Sequence, residues 1–258
     1  MMSLNFCFIG AGNLATQLSK AFKKKGFGIT QVYSRTEKSA KDLAVVLNAT
    51  YTTSINEIDK NADIYFVALK DSAVDKVLPQ INFENKLVVH CSGSLPLSAL
   101  DSFSENTGVF YPLQTFSKNR QLDFQEIPVF IEMNSEKNEK LMLQIASELS
   151  GSVFVLNSEK RKMLHISAVF ACNFVNHFYT IASDILKSEN IQLEVLKPLI
   201  IKTAKKVQEL EPEKAQTGPA VRFDENIINS HLNELSKFGD YRQLYSLISK
   251  SIFDRYNK

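Results

Sequence analysis

Cysteine is scarce in this 258-residue chain: Cys7, Cys91 and Cys172 lie far apart among apolar neighbours, an odd number with no C-x-x-C spacing. That suggests neither a disulfide framework nor a zinc site. No stretch reaches the roughly 18 uninterrupted apolar residues of a membrane span. The first residues carry no basic segment, and the apolar run ending at Ile9 is too short for a secretory leader. An excess of charge of one sign is also missing. Basic and acidic side chains number 30 and 28, the formal charge is +2, and Lys23, Lys24 and Lys25 are the only basic run. They read as the solvated end of a helix, and the basic stripe of a nucleic-acid binder is absent. The expectation is a reduced, soluble, cytoplasmic protein with neither a membrane nor a nucleic-acid partner.

What is present is enough to fill a core. A hydrophobic content of 44% rules out disorder as the main state. The length suits one large domain or two modest ones. The first half alternates short β-branched or aromatic runs with amphipathic stretches, the pattern of βαβ units and a parallel sheet. Strands are predicted over 4–9, 29–33, 63–69 and 86–91. The last two are near-continuous apolar runs that suit a sheet covered on both faces. Further strands are predicted over 108–111, 128–132 and 153–156. Helices are predicted over 13–25, ending at Gly26, over 37–47, and between Ser135 and Leu149. The capping-box spacing of Ser54 to Glu57 predicts a short helix there. After about residue 159 strand signals vanish, and helices are predicted over 159–188, 195–209, 225–237 and 241–256. The reading is an α/β domain with a mostly parallel, doubly wound sheet over 1–158, and an all-α domain over 159–258.

The strongest motif is Gly10-Ala11-Gly12-Asn13-Leu14-Ala15, directly after the first strand and opening the first helix. It fits G-x-G-x-x-G/A, the fingerprint of a Rossmann dinucleotide-binding domain. Gly10 permits the tight turn, Gly12 lets the backbone approach a pyrophosphate, and Ala15 lets helix pack on strand. The anion then meets the free N–H groups and positive dipole end of the helix. An NAD site wants an acidic residue at the end of the second strand. Here Ser34-Arg35-Thr36 stands there, a guanidinium and two hydroxyls suited to a 2′-phosphate, so NADP is the expected cofactor. Leu69 and Lys70, followed by Asp71, end the third strand. They either border the cofactor or form a surface turn.

Candidate substrate groups follow. His90-Cys91-Ser92-Gly93-Ser94 ends another strand at the cofactor's edge. Ser92, Gly93 and Ser94 offer hydroxyls and N–H groups to a carboxylate or carbonyl; alternatively Ser94 caps a helix starting at Leu95-Pro96. The loop Tyr111-Pro112-Leu113-Gln114-Thr115-Phe116 can roof a pocket. On the long helix, His165 and Asn176 lie within about 20° of three full turns and share a face. His165 and Asn173 are polar groups in an apolar helix, costly to bury unpaired, so each needs a partner in protein or substrate. Arg222 can anchor a substrate anion. Asp224 is placed to cap the helix that carries His231. No metal spacing joins the histidines.

Taken in order, these segments, with Val32-Tyr33-Ser34-Arg35-Thr36 and Thr217-Gly218-Pro219, resemble a group of Rossmann-like NADP-binding oxidoreductases with an appended helical C-terminal domain. That group is related to deazaflavin-dependent NADP reductases, pyrroline-5-carboxylate reductases and the 6-phosphogluconate dehydrogenase-like superfamily. The resemblance spans essentially the whole chain. It implies NADP bound by the first domain, a homodimer formed through the helical domain, and a small-molecule substrate held in an interdomain cleft. It implies no particular substrate. In the superfamily the loop matching Ser92, Gly93 and Ser94 contacts substrate, and the long helix supplies a polar catalytic residue, which maps onto His165 or Asn173. Two departures stand out. Val169 occupies the place, one turn before Asn173, where hydroxyacid dehydrogenases carry a lysine, and Tyr111 stands where the resembled group has a histidine before the proline. The expected function is hydride transfer between NADP and a small carbonyl or imine. In that scheme His165 donates or relays the proton, Asn173 orients substrate or water, and Ser92 binds the reacting group. The alternative is a sensor or scaffold that binds NADP(H) without turnover.

Overall fold

The first predicted strand forms as β1, Asn5–Ile9, inside an eight-stranded sheet of a computed structural model that describes residues 4–257. The other strands are β2 (Gly28–Tyr33), β3 (Thr50–Thr52), β4 (Ile64–Val67), β5 (Leu87–His90), β6 (Asn106–Pro112), β7 (Val129–Met133) and β8 (Val153–Val155). Their order is β3-β2-β1-β4-β5-β6-β7-β8, and every pair is parallel except β6 with β7. Chain order runs outward in opposite directions from β1 and β4, so the crevice at their carboxyl ends is the switch point where ligands bind in such sheets.

Alternation sorts the central strands onto two covered faces. Phe6, Phe8 and Phe66 pack on one face with Phe22 and Phe110; Cys7, Ile9, Tyr65, Val67 and Val88 pack on the other with Leu78 and Leu100. Phe22 lies 4.9 Å from Phe6 and 5.0 Å from Phe66, centroid to centroid. Each such ring contributes about 1.5–3 kcal/mol by leaving water, so this cluster fixes the helix that carries Phe22. That helix is α1 (Asn13–Lys24), followed by α2 (Glu37–Leu47), α3 (Asp71–Val77) and α4 (Glu136–Leu149). Ser135 caps α4 by accepting the Asn138 N–H.

Three local expectations need correction. Over 54–57 the capping box does not close: the Glu57 carboxylate instead accepts from the Thr52 hydroxyl at 2.8 Å, leaving a single 3₁₀ turn. The turn at 69–71 continues directly into α3. Cys172 is exposed, not among apolar packing, whereas Cys7 and Cys91 are buried.

The long helix begins as α5 (Ser158–Ala168), widens to a π-helical segment over Val169–Phe174, and continues as α6 (Val175–Ser188). The chain divides into two compact units, one ending at Phe170 and one beginning at Ala171. Helix α5 belongs to the first because buried Arg161 ties it to β7. The second unit is all helical: α6, α7 (Lys197–Glu209), the single turns α8 (Pro212–Ala215) and α9 (Pro219–Arg222), α10 (Glu225–Glu234) and α11 (Tyr241–Tyr256). No helix among the described residues is long and apolar enough to cross a membrane.

Candidate active site

Gly10 leaves β1 at φ +122°, a backbone region that L side chains rarely adopt. A Cβ there would collide with the Ala68 carbonyl, so the turn closes directly against the end of β4. Gly12 differs. It has ordinary backbone angles as the N-cap of α1, and a Cβ built on it meets nothing within 4 Å. The space above it is open, no acidic residue occupies the first turn, and no side chain caps the helix. The first N–H groups of α1 thus face outward without a partner from their own helix. A cradle of free amides at a positive helix end fits a pyrophosphate. Asn13 and Gln17 hold this cradle's wall: Asn13 Nδ2 donates to Phe116 O (3.0 Å), and Gln17 Nε2 to the carbonyls of Ser117 (2.6 Å) and Arg120 (2.8 Å). The loop after β6 is thereby pinned along α1, with Gln17, a residue the motif does not flag, doing most of the holding. Leu14 is half-buried against the core and turned inward.

At the end of β2, Ser34 is half-buried and its N–H donates to Thr52 O; Arg35 and Thr36 are exposed. Glu37 opens α2, where its carboxylate accepts from Tyr51 Oη. Arg35 has no ion-pair partner among the described residues, leaving its guanidinium available. Leu69 is half-buried and Lys70 exposed, at the end of β4.

The loop after β5 is built around its own side chains. Ser92 Oγ accepts the N–H groups of Ser94 and Leu95, both at 3.0 Å. Its lone pairs are therefore occupied, and its O–H is left to donate. The expected cap by Ser94 is not formed, because the following 3₁₀ turn begins only at Leu97, with Pro96 at its N-cap. In that turn the Leu97 N–H is met instead by the Ser158 hydroxyl of α5. His90 is buried, and the Ser92 N–H donates to its Nδ1 at 3.1 Å while Nε2 lies 3.2 Å from Pro96 O. Only the neutral Nε2–H tautomer satisfies both contacts. Burial, and after it the Arg161 charge, press His90 down to about 4. The adjacent Cys91 thiol is pushed well up by burial, so it supplies no thiolate.

Across from this loop, Tyr111 Oη lies 2.9 Å from His165 Nδ1. Tyr111, the penultimate residue of β6, is buried, and that burial raises its phenol. His165 is half-buried on α5, and its Nε2 has no partner among the described residues. Gly93 is the floor under both rings: a Cβ on it would stand 2.6 Å from His165 Nδ1 and 2.9 Å from Tyr111 Cζ. The structure thus brings together Ser92, Gly93, Tyr111 and His165. In the sequence Tyr111 stood out as part of a roofing loop and as a departure from the resembled group, not as a partner of His165.

The remaining candidates lie in the second unit. Asn173 is exposed, so the cost of burying it unpaired, which motivated its selection, does not arise. Asn176 is exposed as well, and the wider turns of the π segment between it and His165 break the α-helical count that put them on one face. Arg222 is exposed at the end of α9. Asp224 caps α10 through the Ile227 N–H, and His231 Nδ1 pairs with Tyr245 Oη at 2.8 Å. No cluster of metal-binding side chains occurs among the described residues.

Comparison with known proteins places this geometry. Residues 5–93 match the family model described as NADP oxidoreductase, coenzyme F420-dependent, and residues 127–252 match a domain of unknown function, DUF2520. A crystal structure of a protein from Bacteroides fragilis described as an NADP oxidoreductase is 49% identical, with a TM-score of 0.95 over 98% of this chain and 99% of that one. An imine reductase from Myxococcus stipitatus, in complex with NADP+, shares the fold at 17% identity and a TM-score of 0.68, over 98% of this chain and all of that one. A 1-pyrroline-5-carboxylate reductase from Streptococcus pyogenes does so at 15% identity and 0.64, over 98% of each chain. No curated protein matches in sequence.

Proposed function

The chain belongs to a family of NADP oxidoreductases that joins an F420-type NADP oxidoreductase domain to a C-terminal domain of unknown function, and from that premise we propose that it reduces a small imine or carbonyl compound with NADPH. The observation that carries the reading is the pairing of Tyr111 with His165 beside Ser92 at the carboxyl edge of a sheet whose first turn suits a dinucleotide. When bound, NADPH supplies the hydride. The amides of α1 hold its pyrophosphate, Arg35 with Ser34 and Thr36 holds the 2′-phosphate, and Leu69 and Lys70 border it at the switch point. Ser92 donates its free O–H to the substrate's reacting nitrogen or oxygen. His165 delivers the proton from Nε2, the ring nitrogen left open, while Tyr111 holds Nδ1 and so fixes the ring. Ser94 is proposed as a further substrate contact.

Parallel calorimetric titration with NADPH and NADH tests the cofactor assignment. NADPH is expected to bind more tightly. Arg35→Ala is expected to weaken NADPH about 10- to 100-fold, the worth of one charge-assisted hydrogen bond, with NADH unchanged. Equal affinities, or an indifferent Arg35→Ala, would remove Arg35 from the site.

The second unit is the dimerisation surface in this reading. Among its described residues only Ala220 is buried, while Val195, Leu199 and Leu247 remain more than 60% exposed. An apolar cavity of about 350 Å³ opens between Phe178, Ile181, Leu244 and Ile248. So much exposed apolar surface marks an interface, and a second copy of the chain supplies the missing cover. Sedimentation equilibrium should give twice the chain mass, and Leu199→Glu with Leu247→Glu should shift it toward the monomer. A wild-type protein that stays monomeric at micromolar concentration rules the dimer out.

A further inference from the structure

One buried charge is not used by the chemistry above. Arg161 on α5 is 1% exposed and sits where three segments meet. Its guanidinium pairs with Glu132 of β7, donates to Leu95 O in the loop after β5, and reaches Ser158 Oγ at 3.3 Å. Glu132 in turn accepts from the N–H (3.0 Å) and hydroxyl (2.7 Å) of Ser158, and Ser158 Oγ accepts the Leu97 N–H at 2.8 Å. His90 holds the other end of the same loop through Ser92 and Pro96.

As a stability device this arrangement is poor. Desolvating two charges offsets most of their attraction, and Arg161 Nε is left buried with no hydrogen-bond partner. What it supplies is geometry. Leu95 O is three residues from Ser92, and Arg161 is one helical turn from His165, on the same face of α5. The guanidinium therefore fixes the hydroxyl-bearing loop and the imidazole-bearing helix to one point.

We propose that Arg161 and Glu132 are positioning residues, which set the register of α5 against the loop after β5 so that Ser92, Tyr111 and His165 converge on one reacting atom. This rests on the reading of His165 as proton donor. Neither side chain touches substrate; both act through Leu95, Ser158 and the helix.

The test is the double variant Arg161→Met with Glu132→Gln. It leaves no uncompensated buried charge, and the glutamine oxygen can still accept from Ser158. Either single charge deletion strands its partner and risks unfolding. The double variant is expected to unfold cooperatively and bind NADPH as the wild type does, since the dinucleotide turn lies on other strands. Its kcat should fall about 100-fold, the scale of a displacement near 1 Å, with KM changing far less. Amide exchange at Ser94 and Leu95 should accelerate, and the side-chain ¹⁵N resonances of His165 should move. Wild-type kcat together with wild-type exchange overturns the proposal. Should the wild type reduce no imine or carbonyl, the reaction assigned above fails on its own; exchange and ¹⁵N shifts then decide the positioning role, and unchanged values reject it. If the double variant does not fold, Arg161→Lys, which keeps the charge and loses the planar fork, is read by the same measurements.

Discussion

His165→Ala should lower kcat/KM about 10³-fold, within the range for loss of a positioned proton donor, which corresponds to about 4 kcal/mol of transition-state stabilisation. The measurement is loss of NADPH absorbance with a panel of cyclic imines and keto acids, with calorimetry to show that NADPH still binds. The magnitude follows from the site. Tyr111 occupies Nδ1, so the proton leaves from Nε2, and no other imidazole among the described residues adjoins this loop in a donating state. His90 is nearer in sequence, yet its Nε2–H faces Pro96 O and its Nδ1 takes the Ser92 N–H. Burial keeps His90 neutral, so it lacks the acidic imidazolium proton, and its one N–H is held by Pro96 O. An enzyme that turns over equally well without the His165 ring would return the role to Ser92 or Tyr111. A wild type that binds NADPH and reduces nothing would favour the non-catalytic alternative.

The dinucleotide turn was legible because everything it needs is local. Gly10, Gly12 and Ala15 follow one strand and open one helix; Gly10 acts through its backbone conformation, Gly12 through the open space above it and Ala15 through its small buried side chain. The central strands were legible for a similar reason: 64–69 and 87–89 are uninterrupted apolar runs because both faces of the sheet are covered. β3 was not, since three residues cannot show an alternation. The site's second half depends on pairs distant in sequence. Tyr111 and His165 are 54 positions apart, Arg161 and Glu132 are 29, and no periodicity links either pair. A faint signal existed for Arg161: a charge one turn from His165 falls on the helix face expected to point inward, where a solvated arginine does not belong. The inference that Asn173 is buried failed for the opposite reason. Apolar neighbours in a helix imply burial only if something covers them, and within one chain that face is exposed. The widened turn over Val169–Phe174 has no compositional mark at all, yet it resets the phase of every residue after it.

Gly10→Ala and Gly12→Ala, two residues apart, should fail in different ways. At Gly10 the new methyl must hold φ +122° and displace the Ala68 carbonyl. Neither strain can relax alone: Ala68 N–H donates to Ile9 O at 2.9 Å, and Gly10 N–H to Tyr33 O at 2.8 Å. The turn is therefore stitched to strands on both sides, and yielding means parting β1 from β4 at the centre of the sheet. A disallowed backbone conformation costs about 1–3 kcal/mol, and a buried overlap adds about 1–3 kcal/mol. The denaturation midpoint should fall by the equivalent of about 3–5 kcal/mol, with NADPH binding lost. At Gly12 the methyl meets open space at φ −77°, so stability should stay within about 0.5 kcal/mol of the wild type. The pyrophosphate is what needs that space. Gly12→Ala should therefore fold normally and lose NADPH affinity in calorimetry. A Gly12→Ala protein that binds NADPH like the wild type would show that the dinucleotide does not lie across this turn, whatever Gly10→Ala does to the fold.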